Sequence, residues 1–288
     1  MKKLNLILLF LSFAFYNCNN EDDFDYKFYT PTGNSITYNL GTKDVSGISG
    51  KVSFVENQDA SININISLDG TPEGGQHPAH IHFNTAAEGG DIALSLGSVS
   101  GSSGKSTINV TTLDDGTPIT FSELLEFDGY INVHLSKDEL GTIVAQGDIG
   151  QNALKPNAIV YDLGEKDVAG ISGTATFSER KNGSILAELD IQNTPEGGEH
   201  PAHIHANTAL EGGGILLSFT PVNGDTGKSF TNFTALDDGT ALSFSDIQNL
   251  DAYINVHLSA TQLSTIVAQG DIGQNDLTGN TKEYDLGE

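Results

Sequence analysis

Apolar and polar residues alternate without interruption over residues 61–68, where isoleucine or leucine occupies every second position. This period of two is typical of a β-strand that buries one face and exposes the other. Equivalent alternation occurs at Ile185, Ala187, Leu189 and Ile191. Further strands are predicted between turn signals at residues 49–55, 79–83, 92–96, 105–112, 130–135 and 142–146. Only residues 122–127 indicate a helix, with Ser122 as N-cap and Glu123 in the first turn.

The chain contains an internal repeat with a constant offset of 123 residues, so that Tyr38 recurs as Tyr161 and Asp148 as Asp271. Residues 35–152 align with residues 158–275 without net insertion, which predicts two copies of one domain joined by a short link at residues 153–157. The segment 276–288 ends in the pentapeptide found at residues 161–165. It resembles the start of a third repeat, or it is a strand that completes the second domain. Seven or eight short strands in each copy of about 120 residues predict an antiparallel sandwich or barrel.

The composition is typical of a globular protein and argues against nucleic acid as a partner. A length of 288 residues is sufficient for two domains with their own cores. The 13 lysine and arginine residues face 38 aspartate and glutamate residues, which gives a net charge of −25. Nucleic acid is therefore excluded as a partner, because phosphate binding needs clustered cations. The single cysteine cannot form a disulfide within the chain.

The N-terminus indicates export. Lys2 and Lys3 precede an apolar run over residues 4–16, which is too short to span a bilayer but fits the core of a signal peptide. Cys18 follows directly and resembles the lipid-attachment cysteine of bacterial lipoproteins, although residues 15–17 depart from the usual lipobox; the alternative is cleavage elsewhere and an uninvolved thiol. Residues 1–18 are thus interpreted as a lipoprotein signal peptide, and residues 19–34 as an acidic tether. This implies a chain anchored by lipid on Cys18 at the bacterial cell envelope, in the outer membrane, with the folded part either exposed at the cell surface or in the periplasm.

All eight histidines lie in the repeated segments. They are His77, His80, His82 and His134 in the first copy and His200, His203, His205 and His257 in the second. Because successive strand residues point to opposite faces, His80 and His82 share one face while the apolar residues at 79, 81 and 83 share the other. The apolar set is expected to be buried. His134 likewise falls on the polar face of its predicted strand, which argues against core histidines.

Two histidines at positions i and i+2 of a strand, with a third on another strand, can converge on one metal ion. The sequence therefore predicts a copper or zinc site at His80, His82 and His134. A second such site is predicted at His203, His205 and His257. His77 and His200, each just before a proline, are predicted to lie in a loop beside the site and to support the ligands by hydrogen bonds. The alternative is that these histidines only shape loops by hydrogen bonding.

Several of these segments resemble the CHRD (chordin-type) domain. The resemblance rests on residues 50–54, 80–82, 89–90, 124–125, 130–134 and 147–149, and on residues 173–177, 203–205, 253–257 and 270–272 in the second copy. It covers nearly all of both repeats, although Leu135 and Ser136 replace the usual continuation after the third histidine. The resemblance implies an extracellular module with a protein or glycan partner.

More distantly, residues 77–82, 133–134 and 145–150 resemble the copper-binding strands of Cu,Zn superoxide dismutases. That likeness implies two tandem antiparallel Greek-key β-sandwich domains of the superoxide dismutase or immunoglobulin type. It also implies three copper ligands in each copy, with His77 a nearby non-ligand. No histidine remains for a zinc subsite, Gln146 stands where the disulfide cysteine is expected, and Arg180 lies outside the segment of the superoxide-steering arginine. A net charge of −25 would also repel superoxide.

The sequence thus favours a lipid-anchored, non-enzymatic binding module with one three-histidine site in each repeat. Two alternatives remain: a structural or adhesive module without metal, and a metalloenzyme that resembles superoxide dismutase or a zinc hydrolase. The Asp-Asp-Gly segments at residues 114–116 and 237–239 could supply calcium ligands, but Asp-Gly is so common in turns that turns are predicted there.

Overall fold

A computed structural model of the protein describes residues 29–276 and the residue pair 284–285. The fold is all-β, as predicted, with two short helices in the described part. The strands of the first repeat are β1 (Pro31–Thr42), β2 (Ser49–Asn57), β3 (Ile62–Asp69), β4 (Gln76–Phe83), β5 (Ile92–Ser100), β6 (Lys105–Val110), β7 (Asp128–Ser136) and β8 (Glu139–Gly150). Helix α1 (Phe121–Leu125) precedes β7. Every strand predicted in this repeat is present, and β1 is an additional one.

In the second repeat some of the strands are shorter or divided. Its elements are β9 (Leu154–Glu165), β10 (Ser172–Arg180), β11 (Ile185–Gln192), β12 (Glu199–His200), β13 (Ala202–Ala206), β14 (Ile215–Ser218), β15 (Val222–Asn223), β16 (Lys228–Phe233), α2 (Phe244–Ile247), β17 (Asp251–His257), β18 (Ile266–Gly273) and β19 (Tyr284–Asp285). The described part contains no helix with the length and apolar character that crossing a bilayer requires.

The first eight strands form a closed antiparallel barrel in the order β1-β2-β3-β6-β5-β4-β7-β8. Pairing of Gly41 with Gln146 and of Thr42 with Ala145 closes it. The alternation predicted for β3 is confirmed, because the residues between its buried positions are not buried. The buried residues are Ile62, Ile64, Ile66 and Leu68. Burial of such a side chain contributes about 1.5–3 kcal/mol.

The second repeat follows the same strand order but is opened into a half-barrel. In the first repeat Pro78 on β4 lies opposite Ser98 on β5. Pro201 and Pro221 occupy the equivalent positions in the second repeat. Because neither proline has an N–H to donate, the ladder breaks there. The two strands are divided into β12 and β13 on one side and β14 and β15 on the other.

One buried arginine joins the two repeats. Arg180, at the end of β10, has an exposed fraction of 0%. Its Nη1 donates to Asp148 Oδ2 at 2.5 Å and to the carbonyl of Asn152 at 2.6 Å, both in the first repeat or just beyond it. Its Nε donates to Asn232 Oδ1 at 2.9 Å. The equivalent of Arg180 in the first repeat is Asn57, which cannot form an ion pair. Among the described residues, the Arg180–Asp148 ion pair therefore occurs only where the two repeats meet.

Two local predictions change in detail. Helix α1 is capped by Thr120 and not by Ser122, since Thr120 and Glu123 form a reciprocal capping box. Strand β1 begins at Pro31, so the last residues of the predicted tether are strand. Residues 284–285 form a two-residue strand that pairs with β9.

Candidate metal centres

Each repeat brings three histidines together on neighbouring strands. His80 and His82 lie on β4, and His134 lies on the adjacent β7. One ligand atom from each lies within 4.8 Å of the other two. His203, His205 and His257 form the same group on β13 and β17. Each group could hold a metal ion.

Backbone carbonyls fix the tautomer of two rings in each group. His82 Nδ1 donates to the carbonyl of Gly90 at 2.9 Å, and His134 Nδ1 donates to the carbonyl of Leu140 at 2.6 Å. A carbonyl oxygen can only accept, so each Nδ1 carries the proton and each Nε2 presents its lone pair. His205 and His257 use the carbonyls of residues 213 and 263 in the same way.

The third ring completes a donor set that fits a small cation. His80 Nδ1 lies 3.1 Å from His134 Nε2. Two nitrogens that share a tetrahedral ion at 2.0–2.1 Å would be about 3.3 Å apart. His82 Nε2 is buried and has no hydrogen-bond partner, and the same is true of His205 Nε2. Three imidazole nitrogens are a donor set that suits copper or zinc.

The surroundings of the rings favour the neutral, ligating form. Burial, followed by the neighbouring His134 and His82, lowers the pKa of His80 below its ordinary value of 6.5, and Asp114 opposes this. Burial also lowers the pKa of His134, against the opposing effect of its hydrogen bond to the Leu140 carbonyl. The pKa values of His203 and His257 are lowered for the same leading reason.

These shifts predict the pH dependence of the metal-free protein. A histidine whose folded pKa is lowered binds fewer protons folded than unfolded, so its contribution to stability is complete above about pH 6.5 and is lost as the pH falls through the folded pKa values. We expect the urea concentration at the midpoint of unfolding to decrease as the pH is lowered from 7.5 to 5.5. Equilibrium unfolding in the presence of a chelator measures this. A variant with glutamine at positions 80, 134, 203 and 257 should show a flatter profile, and an equally steep one would contradict the prediction.

His77 and His200 are placed differently from the prediction. The sequence indicates a loop, whereas His77 lies in β4 and has an exposed fraction of 1%. Its Nδ1 donates to the carbonyl of His134 at 3.3 Å, and His200 Nδ1 donates to the carbonyls of residues 257 and 258. Both rings therefore contact the backbone of a group member without joining the group.

The prediction that apolar residues face inward holds for Ala79 and Ile81, which are fully buried. Phe83 is 40% exposed at the end of the strand, where it packs on Phe127. His134, predicted on a polar face, is only 6% exposed, because the hairpin between β7 and β8 covers it.

Three supporting residues were not predicted from the sequence. Gly90 supplies the carbonyl that orients His82, and a Cβ at this position would lie 2.1 Å from the carbonyl oxygen of Phe83. Only glycine therefore permits this close approach. Leu140 supplies the carbonyl for His134, and the ring of Tyr130 stacks on His82 with centroids 5.0 Å apart. The Gly-Gly pair at residues 89–90 was the one available signal, and it indicated only a turn.

The Asp-Asp-Gly segments form turns, as predicted. Asp114 accepts hydrogen bonds from the backbone and hydroxyl of Ser95, and Asp115 accepts from the backbone N–H of Thr117. Cys18 and the predicted signal peptide lie outside the described residues. Comparison with protein families, with curated proteins and with solved structures gave no match to the chain.

Proposed function

We propose that the chain is a metal-binding module in which each repeat holds one copper or zinc ion through its three histidines. The observation that carries the proposal is His82 Nε2, a buried lone pair that faces two other imidazoles without a hydrogen-bond partner. Hydrogen bonding between His80 and His134 satisfies two rings of the group and leaves the third unsatisfied. An unsatisfied buried acceptor costs about 1–3 kcal/mol, and the same group recurs in the second repeat.

The residues of each group have distinct tasks in this proposal. His82 and His134 are held by backbone carbonyls, so their lone pairs are oriented before an ion arrives. His80 is tied by no such carbonyl among the described contacts, and its ring can adjust to the ion. Bound copper or zinc would act as a Lewis acid toward a further ligand. Asp114, the carboxylate that acts on the pKa of His80, accepts hydrogen bonds from the backbone and hydroxyl of Ser95, so we assign it to the turn and propose binding without turnover.

We also propose that both repeats are Greek-key sandwiches related to CHRD domains and, more distantly, to Cu,Zn superoxide dismutases. The connections support this, because β3 is followed along the chain by β4 but pairs with β6, and β4 pairs with β7. Such crossovers between antiparallel strands are characteristic of Greek keys.

We further propose that Cys18 carries a lipid that anchors the module at the outer surface of the bacterial envelope. There it would meet an extracellular protein or glycan. The net charge of −25 supports a cation-gathering role, because an acidic surface raises the local concentration of cations.

Metal titration tests the central proposal. We expect the chain from residue 19 onward, after its metal has been removed by a chelator, to bind about two ions of copper or zinc. The dissociation constants should lie well below about 1 mM. Calorimetric titration gives the stoichiometry and elemental analysis after gel filtration gives the retained metal. Binding should weaken below pH 6.5, because protons compete for the imidazole nitrogens. Binding no tighter than millimolar for both metals would contradict the proposal and leave the structural or adhesive role.

A further inference from the structure

A cleft between the two repeats is built from residues of both. Its inner cavity has a volume of about 490 Å³, within the range of small-molecule sites. Repeat one contributes Tyr38, Lys43 and Asp148, and the second part of the chain contributes Leu154, Lys155 and Phe230. A second hollow of about 610 Å³ shares Lys43 and Phe230 and continues the cleft outward.

The inner cavity presents one lysine, Lys43, that no carboxylate neutralises among the described ion pairs. Lys43, Lys155 and Arg180 line it, against the two carboxylates Asp148 and Glu188. Of these five groups only Lys43 has no ion-pair partner among the described contacts, since Asp148 pairs with Arg180, Glu188 with Lys228 and Lys155 with Glu179. Lys43 Nζ lies 4.5 Å from the centroid of the Phe230 ring. In a chain with a net charge of −25, this cavity is a local exception.

The two repeats differ at the positions that line the cavity. Asn39 and Thr42 line it in the first repeat, whereas their equivalents in the second are Asp162 and Glu165. Two carboxylates that would repel an anion are thus missing on the cleft side. Phe230 corresponds to Thr107 of the first repeat, so the aromatic wall is also particular to the cleft. Charge and aromatic surface both point to an organic anion with an apolar body.

We propose that the cavity between the repeats binds a compact organic carboxylate, such as an acidic sugar or an aromatic acid. Lys43 receives the carboxylate, and Lys155, which pairs with Glu179, is the second cation in the lining. The Phe230 ring and the side chains of Leu154 and Leu186 pack against the body of the ligand. This site is independent of the histidine groups and of the metal proposal.

Calorimetric titration of the chain from residue 19 onward, with chelator present, tests the site. The probes are glucuronate and benzoate, each compared with its uncharged analogue, glucose or benzyl alcohol. We expect at least one acid to bind one per chain with a Kd below about 10 mM, and its analogue to bind at least about tenfold more weakly. Lys43→Glu should weaken the acid about tenfold or more. Lys166→Glu, the matched change in the second repeat, should leave binding unchanged.

Three outcomes would overturn the proposal: neither acid binds saturably, an uncharged analogue binds as well as its acid, or Lys166→Glu weakens binding as much as Lys43→Glu. Circular dichroism checks that each variant is folded. If Lys43→Glu does not fold, Lys43→Gln serves in its place, combined with a salt titration of the unaltered chain. Affinity of the acid should then fall with rising salt, and a salt-independent affinity counts against the site.

Discussion

Replacement of Arg180 by alanine should lower the free energy of unfolding by about 3–5 kcal/mol, the cost of removing one partner from a buried ion pair. The change leaves the Asp148 carboxylate, only 11% exposed, without its cation. It also removes the donor to the carbonyl of Asn152 and one of the two donors to Asn232 Oδ1, which keeps its hydrogen bond from the Ser184 hydroxyl. Urea unfolding followed by circular dichroism measures the loss, which should be visible in the transition of the second repeat because Arg180 lies on its strand β10.

The repeat provides a matched control for this prediction. Asp148 and Asp271 are equivalent. Asp148 accepts a hydrogen bond from the backbone N–H of Ala86 at 2.8 Å, and Asp271 accepts one from that of Ala209 at 2.7 Å. Among the described contacts only Asp148 has an arginine partner. Asp148→Ala should therefore cost clearly more than Asp271→Ala, by about 2 kcal/mol or more. Equal losses would mean that the ion pair does not stabilise the joint.

The repeat-by-repeat strand pattern could be predicted because it is local. In β3 the alternation of isoleucine with asparagine or serine determines which face is buried, and burial follows it residue by residue. The shared face of His80 and His82 follows from the same period of two. The third member, His134, was predicted from its position in a similar alternating segment.

What the sequence left open depends on contacts between distant segments. The sheet of the second repeat divides next to Pro201 and Pro221, which follow and precede the paired residues His200 and Val222, and that pairing exists only once two strands are in register. Burial of His134 depends on the Leu140 carbonyl above it, and burial of Arg180 depends on Asp148 from the other repeat. None of these partners is marked by a local pattern, since backbone carbonyls and interdomain distances carry no signal in composition or period.

Simultaneous replacement of His80 and His82 by alanine should reduce metal uptake from about two ions per chain to about one. His134 alone cannot retain an ion, because a single imidazole lacks the additional donors that a stable copper or zinc site requires. The second group shares no residue with the first, so its affinity should be unchanged. Calorimetric titration and elemental analysis of the variant give the result directly.

The equivalent double variant of the second repeat, His203→Ala with His205→Ala, should also bind about one ion per chain. The fourfold variant, which combines all four substitutions, should bind no ion tightly. Stability supplies a second measurement. An ion that binds only the folded state raises the free energy of unfolding by about 2.7 kcal/mol when its free concentration is one hundred times its Kd. Metal should therefore raise the melting temperature of each double variant and leave that of the fourfold variant unchanged. If the fourfold variant still takes up two ions, the metal lies elsewhere, for example on exposed carboxylates. In that case the buried lone pairs of His82 and His205 would need a different partner.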